Sequence, residues 1–66
     1  MTVRDVTDEV LRRVLEETTG NDSESIGVRL DCRIALAGDP SWSHVQLAKR
    51  ARQRVCDYLI AHARLN

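Results

Sequence analysis

The chain has 66 residues, of which 42% are hydrophobic and 30% charged, and its formal net charge at pH 7 is zero. This composition is globular rather than disordered, and the length predicts a single domain, residues 1–66, with a small core. No apolar run approaches the roughly 20 residues of a membrane span, and the N-terminus lacks the apolar stretch of a signal peptide. The composition therefore predicts a cytoplasmic protein without a membrane partner.

The first predicted element is an amphipathic helix at residues 3–19. Its apolar residues recur at helical spacing on one side: Val3, Val6, Val10, Leu11 and Val14. Thr2 and Asp5 have the spacing of a capping box, and Gly20 fits the left-handed position just past a helix end. Two acid-before-base pairs are predicted along the helix, Asp8 with Arg12 and Glu9 with Arg13.

The second element, residues 25–37, is ambiguous, because residues 26–36 alternate apolar with polar or small residues, which is typical of a strand. A lone strand in so short a chain would need a second copy to pair with. Gly38 and Pro40 instead form a strong helix stop, which favours a helix capped by Asp22 or Ser23. Its two apolar sides would suit an element buried between two neighbours; they are Ile26, Leu30, Ile34 and Ala37, and Val28, Cys32 and Ala35.

The third predicted element is a long helix at residues 43–63, in which Ser43 and Gln46 have capping-box spacing and Ser41 is the competing cap. Trp42 is expected to close one end of the core. The core stripe of the helix is Val45, Ala48, Ala51, Val55, Leu59 and Ala63. Together the three elements predict an all-α three-helix bundle, with the middle segment as a possible strand.

Catalytic and metal-binding signals are weak in this sequence. Cys32 and Cys56 have no second Cys or His at metal-ligand spacing, so they are expected to be half-buried thiols, with a disulfide left open. His44 and His62 would lie about 27 Å apart on one helix, at 1.5 Å per residue, so they cannot share a site. The sequence therefore predicts a protein without enzymatic activity, metal or cofactor.

Charge is distributed unevenly along the chain. Residues 1–33 hold eight acids and five arginines, whereas residues 40–66 hold five bases and the single acid Asp57. Four bases crowd one short segment, Lys49, Arg50, Arg52 and Arg54. Helical spacing places Arg50 and Arg54 together on the outer face, Lys49 to one side and Arg52 near the apolar stripe. This run is either a solvated helix face or a surface for phosphates or an acidic partner.

The segment from Ile34 to Val45 resembles a helix-turn-helix motif, with a glycine turn between two apolar patterns and a basic second helix. The resemblance implies that the second helix enters the major groove of DNA through its N-terminal residues. In this chain those residues are Ser41, Ser43, His44 and Gln46, whose side chains can form hydrogen bonds with bases.

Residues 11–26 are similar to the first helix and loop of acyl carrier proteins, and residues 41–47 fall near the start of that family's attachment helix. The resemblance implies Ser41 as a pantetheine carrier. Pro40 and Trp42 stand where the family's motif has Asp and Leu.

The start of the chain, residues 2–10, resembles the strand and first helix of ribbon-helix-helix antitoxins. The outward residues of that strand would be Thr2 and Arg4. The resemblance covers this N-terminal part of the chain alone.

The leading hypothesis is a DNA-binding regulator of transcription that uses the last helix. The alternative is a protein–protein interaction or adaptor module that binds an acidic partner, and an acyl-carrier-like domain comes after both. The predicted binding residues are Ser41, Ser43, His44, Gln46, Lys49, Arg50 and Arg54. A homodimer is also expected, with Leu47, Ile60 and Leu65 buried against a second copy.

Overall fold

A computed structural model describes residues 1–63 of the chain and gives an all-α fold. A short 3-10 turn, Val3–Asp5, precedes three α-helices, which are α1 (Asp8–Glu17), α2 (Ser23–Leu36) and α3 (Trp42–Ala63). The predicted three-helix bundle is confirmed. Residues 1–63 contain no strand, so the strand alternative for the middle segment and an N-terminal strand of the ribbon-helix-helix kind are both wrong. No helix in this range is both long and apolar enough to cross a membrane.

The first predicted helix is interrupted. Thr2 and Asp5 do interact, since the Thr2 amide donates to the Asp5 carboxylate at 2.8 Å, but they cap only the single 3-10 turn. The backbone of Val6 leaves the helical region, with ψ at 76°, and its side chain enters the core. α1 then begins at Asp8, where the hydroxyl of Thr7 accepts the amide of Val10 at 3.3 Å.

The end of α1 also differs from the prediction. The helix stops at Glu17, and Gly20 does not adopt the left-handed conformation. The guanidinium of Arg29 on α2 holds this end instead, because its Nη1 donates to the carbonyls of Thr18 at 2.8 Å and Gly20 at 2.7 Å. Of the predicted pairs along α1, neither Asp8–Arg12 nor Glu9–Arg13 is among the ion pairs within residues 1–63.

α2 has the predicted signals at both ends. Asp22 is its cap, accepting the Ser25 amide at 3.1 Å and the Ser25 hydroxyl at 2.7 Å. These two hydrogen bonds, the hydroxyl first, lower the pKa of the Asp22 carboxyl. Gly38 adopts the left-handed conformation that stops the helix, with φ at +71°.

The core lies between one side of α2 and the other two helices. Its buried residues are Val6, Leu11, Val14, Val28, Cys32, Ala35, Ala51, Val55 and Cys56. Only one of the two predicted apolar sides of α2 is buried, since Ile26 and Leu30 are exposed. α2 contacts both α1 and α3, and no further helix within residues 1–63 covers the side that carries Ile26 and Leu30. Cys32 and Cys56 are free thiols and fully rather than half buried.

α3 extends beyond the rest of the bundle. It has 22 residues against 10 in α1, about 33 Å against 15 Å at 1.5 Å per residue. Its core residues therefore begin at Ala51, and Val45 lies outside the core. Trp42 was predicted to close the core, which is wrong, because it is 78% exposed. Of the residues predicted at a dimer interface, Leu47 is exposed, Ile60 packs against the core and Leu65 lies outside the described residues.

Candidate binding groove

The uncovered half of α3 borders a groove of about 960 Å³, called here the binding groove. One side comes from the N-terminal segment, residues 3–8, and the other from α3, residues 44–53. Ala35 and the turn Gly38–Pro40 complete it. The groove exists because the chain before Asp8 forms only a single 3-10 turn, which is too short to cover the first half of α3 as a helix would.

The apolar lining of the binding groove is continuous with the core. It includes Val3, Val6, Ala35, Val45 and Ala48. Val6 and Ala35 are themselves buried core residues, so two of these residues are fixed by packing beneath the groove. A preformed, mostly apolar concavity with a few polar groups around it is the usual form of a binding site.

Arg52 ties the two sides of the binding groove together. Its guanidinium donates from Nη1 to the carbonyl of Val6 and from Nη2 to the Asp8 carboxylate at 3.0 Å. The side chain is 27% exposed, which agrees with its predicted place near the apolar stripe. Arg52 is therefore not an unpaired base, because its hydrogen bonds link α3 to the N-terminal segment.

Two other cations line the groove from different sides. Arg4 belongs to the N-terminal segment and Lys49 to α3, and neither forms an ion pair within residues 1–63. The two acids that line the groove have partners other than Arg4 and Lys49. Asp8 pairs with Arg52, and Asp39 accepts the Ser41 amide at 2.9 Å, which is the main cause of its lowered pKa.

The basic run, residues 49–54, is divided among three environments. Arg54 is paired with Asp31 of α2, with Nε at 3.2 Å from both carboxylate oxygens and Nη2 at 3.0 Å from Oδ1. Arg52 is the tie described above, and Lys49 faces the groove. Arg50 is exposed and forms no ion pair within residues 1–63. Two of the four bases therefore have acidic partners inside the chain, which sequence spacing alone did not reveal.

The residues at the start of α3 that were predicted to contact DNA bases do not share one surface. Ser41 and Ser43 are exposed, and Gln46 is half-buried. The His44 ring turns inward, with Nε2 at 3.1 Å from the carbonyl of Ile34 near the end of α2. Of the seven predicted binding residues, the groove brings together only His44 and Lys49.

Sequence reasoning missed the N-terminal side of the groove and the exposure of Trp42. Trp42 is exposed in the first turn of α3 and shares a helical face with Val45 and Lys49, which line the groove, but Trp42 itself is not a lining residue. The signal that could have indicated the helix break is Thr7 followed by Asp8 and Glu9, since a capping residue before two acids is typical of a helix start.

Other polar groups form structural contacts away from the groove. His62 Nε2 lies 2.9 Å from Oε1 of Glu24, and the His62 ring stacks on Tyr58 with ring centroids 4.0 Å apart. Burial, together with the charge of Asp31, raises the pKa of the Cys32 thiol, which disfavours the reactive thiolate. Residues 1–63 contain no group of three side chains placed to hold a metal ion.

No protein-family model, curated protein or solved structure matches this chain.

Proposed function

We propose that the chain is a non-catalytic binding module whose binding groove takes an apolar segment of a partner protein. The observation that carries this proposal is the apolar lining of a groove of about 960 Å³, two of whose lining residues belong to the core. Binding is favourable when an apolar side chain covers such a surface, because apolar area is then removed from water. A partner would bind a preformed site and would not have to order the groove.

Exposed apolar residues on the face of α3 that borders the groove support the same proposal. Trp42 is 78% exposed and Val45 36% exposed on the α3 side. Tryptophan is enriched among the residues that contribute most to protein–protein affinity, because it buries a large area with few rotatable bonds. Trp42 would cover the end of a bound segment.

DNA binding by α3 is the second candidate. It is favoured by the exposed side chains of Ser41, Ser43 and Arg50 on α3 and at its start, together with Lys49. The acidic partners of Arg52 and Arg54 weigh against it, because a guanidinium paired with a carboxylate has less charge to offer a phosphate. For this reason we rank it below protein binding.

The proposal is tested by selecting binders from a library of random 14-residue displayed peptides and measuring them against two matched variants. Val45→Gln makes the groove polar, whereas Leu47→Gln changes a side chain of similar exposure on the same helix outside the groove. Selected peptides should bind the parent and Leu47→Gln alike and should lose most of their affinity for Val45→Gln. Circular dichroism of both variants controls for folding.

Peptides that bind both variants equally, or a library that yields no binder, would contradict the proposal. A fluorescent DNA duplex titrated at several salt concentrations tests the second candidate. DNA affinity that falls steeply with salt, together with failed peptide selection, would establish DNA binding instead.

A further inference from the structure

We infer that the binding groove recognises an acidic amphipathic segment, in which carboxylates flank an apolar stripe. The inference rests on the proposed function and specifies the chemistry of the partner. It depends on the positions of two cations, Arg4 and Lys49, which line the groove from different parts of the chain.

The acids of the groove do not neutralise these cations. Asp8 is paired with Arg52 across the groove, and Asp39 is held by the Ser41 amide in the turn before α3. Arg4 and Lys49 form no ion pair within residues 1–63, and the three Lys and Arg residues that line the groove, Arg52 included, outnumber its two acids. A basic segment would meet repulsion from both sides, and a neutral one would leave both cations without partners.

The combination of two cations with an apolar lining favours a peptide over a nucleic acid as the partner. The groove that both cations line also presents apolar side chains, including Val3, Val45 and Ala48. A phosphate backbone is charged along its whole length and gains nothing from such a lining. An amphipathic peptide presents an apolar stripe to the lining and carboxylates to the cations on either side.

The experiment starts from peptides selected against the parent protein, whose composition is compared with that of the unselected library. The tightest binder is then synthesised in two forms, as selected and with each Asp and Glu replaced by Asn and Gln. Binding is followed through the fluorescence of Trp42, the one tryptophan of the chain, with tryptophan-free peptides. The protein variants are Arg4→Gln, Lys49→Gln and, as a matched cation outside the groove, Arg50→Gln.

We expect selected peptides to be enriched in Asp and Glu. Removing their carboxylates should weaken binding about 5- to 20-fold, and Arg4→Gln and Lys49→Gln should each weaken the acidic form about 2- to 5-fold. The neutral form should bind all variants alike, and Arg50→Gln should match the parent. Salt should weaken only the acidic form.

Groove-binding peptides that are neutral or basic would overturn this inference while leaving the proposed function intact. Equal binding of the acidic form to the parent, Arg4→Gln and Lys49→Gln would also overturn it. Failure to select any peptide would instead remove the proposed function on which the inference rests.

Discussion

Arg54 and Asp31 form an ion pair between α3 and α2, 23 residues apart in the chain, with three nitrogen–oxygen distances of 3.0–3.2 Å. The Asp31 side chain is only 14% exposed, whereas Arg54 is 58% exposed. A largely covered carboxylate would lose a partner if Arg54 were removed. The pair therefore joins two helices that together supply six of the nine core residues.

We expect Arg54→Ala to lower the free energy of unfolding by about 1 kcal/mol, a value kept small because the guanidinium is solvated. Arg50→Ala, its exposed neighbour on the same helix, should change stability by less than about 0.5 kcal/mol. Urea unfolding of both variants measures the difference. A double-mutant cycle with Asp31→Ala that gave no coupling energy would show that the pair contributes nothing.

The fold was largely predictable from local sequence signals. Where the observed helices differ from the predicted ones, the cause is also local. Three helices and the Gly38 stop follow from periodicity and capping residues. The break at Val6 was missed because Val3, Val6 and Val10 fit a continuous helix as well as a 3-10 turn followed by a new one. The Asp22 cap was one of two options that spacing left open.

The candidate site was much less predictable, because it depends on contacts between distant segments. Arg52 meets Val6 and Asp8 only after α3 has folded against the N-terminus, 44 or more residues away in sequence. The same holds for the pairing of Arg54. Sequence spacing showed which bases share a helix face but not which acids they meet.

Replacing each of the two glycines of the α2 region by alanine should change the stability of the protein in opposite directions. Gly27 lies within α2, and a Cβ there would meet nothing within 4 Å, so Gly27→Ala should stabilise the protein by about 0.5–1 kcal/mol. Gly38 has φ at +71°, so Gly38→Ala should destabilise it by about 1–2 kcal/mol. Thermal unfolding measures both, and a stabilising Gly38→Ala would mean that the turn has a different conformation in solution.

Stability should fall in acid because two carboxyls have lowered pKa values in the folded state. Asp22 accepts hydrogen bonds from Ser25 and Asp39 from Ser41. Their contribution is therefore present above the ordinary pKa of about 3.9 and is lost as the pH falls through the lower folded values. Asp22→Ala should lower the melting temperature at pH 7 and much less at pH 2. An equal loss at both pH values would exclude this linkage.

Arg52 should matter more for stability than the acid it contacts. Arg52→Ala removes both the bond to the Val6 carbonyl and the pair with Asp8, and we expect it to cost about 1–2 kcal/mol. Asp8→Asn removes only the exposed ion pair and should cost less than about 1 kcal/mol. Hydrogen exchange at the Asp5 and Val6 amides should accelerate in Arg52→Ala. Unchanged exchange would show that the N-terminal segment is held by other contacts.

We propose that partners bind in the binding groove between residues 3–8 and the first half of α3. The most direct measurement is to add a display-selected peptide to isotopically labelled protein and record amide chemical shifts by nuclear magnetic resonance. We predict the largest changes at residues 3–8 and 44–53 and at the Trp42 indole, with the outer side of α2, including Ile26 and Leu30, unchanged. Changes centred on Ile26 and Leu30, with residues 3–8 unaffected, would contradict the account.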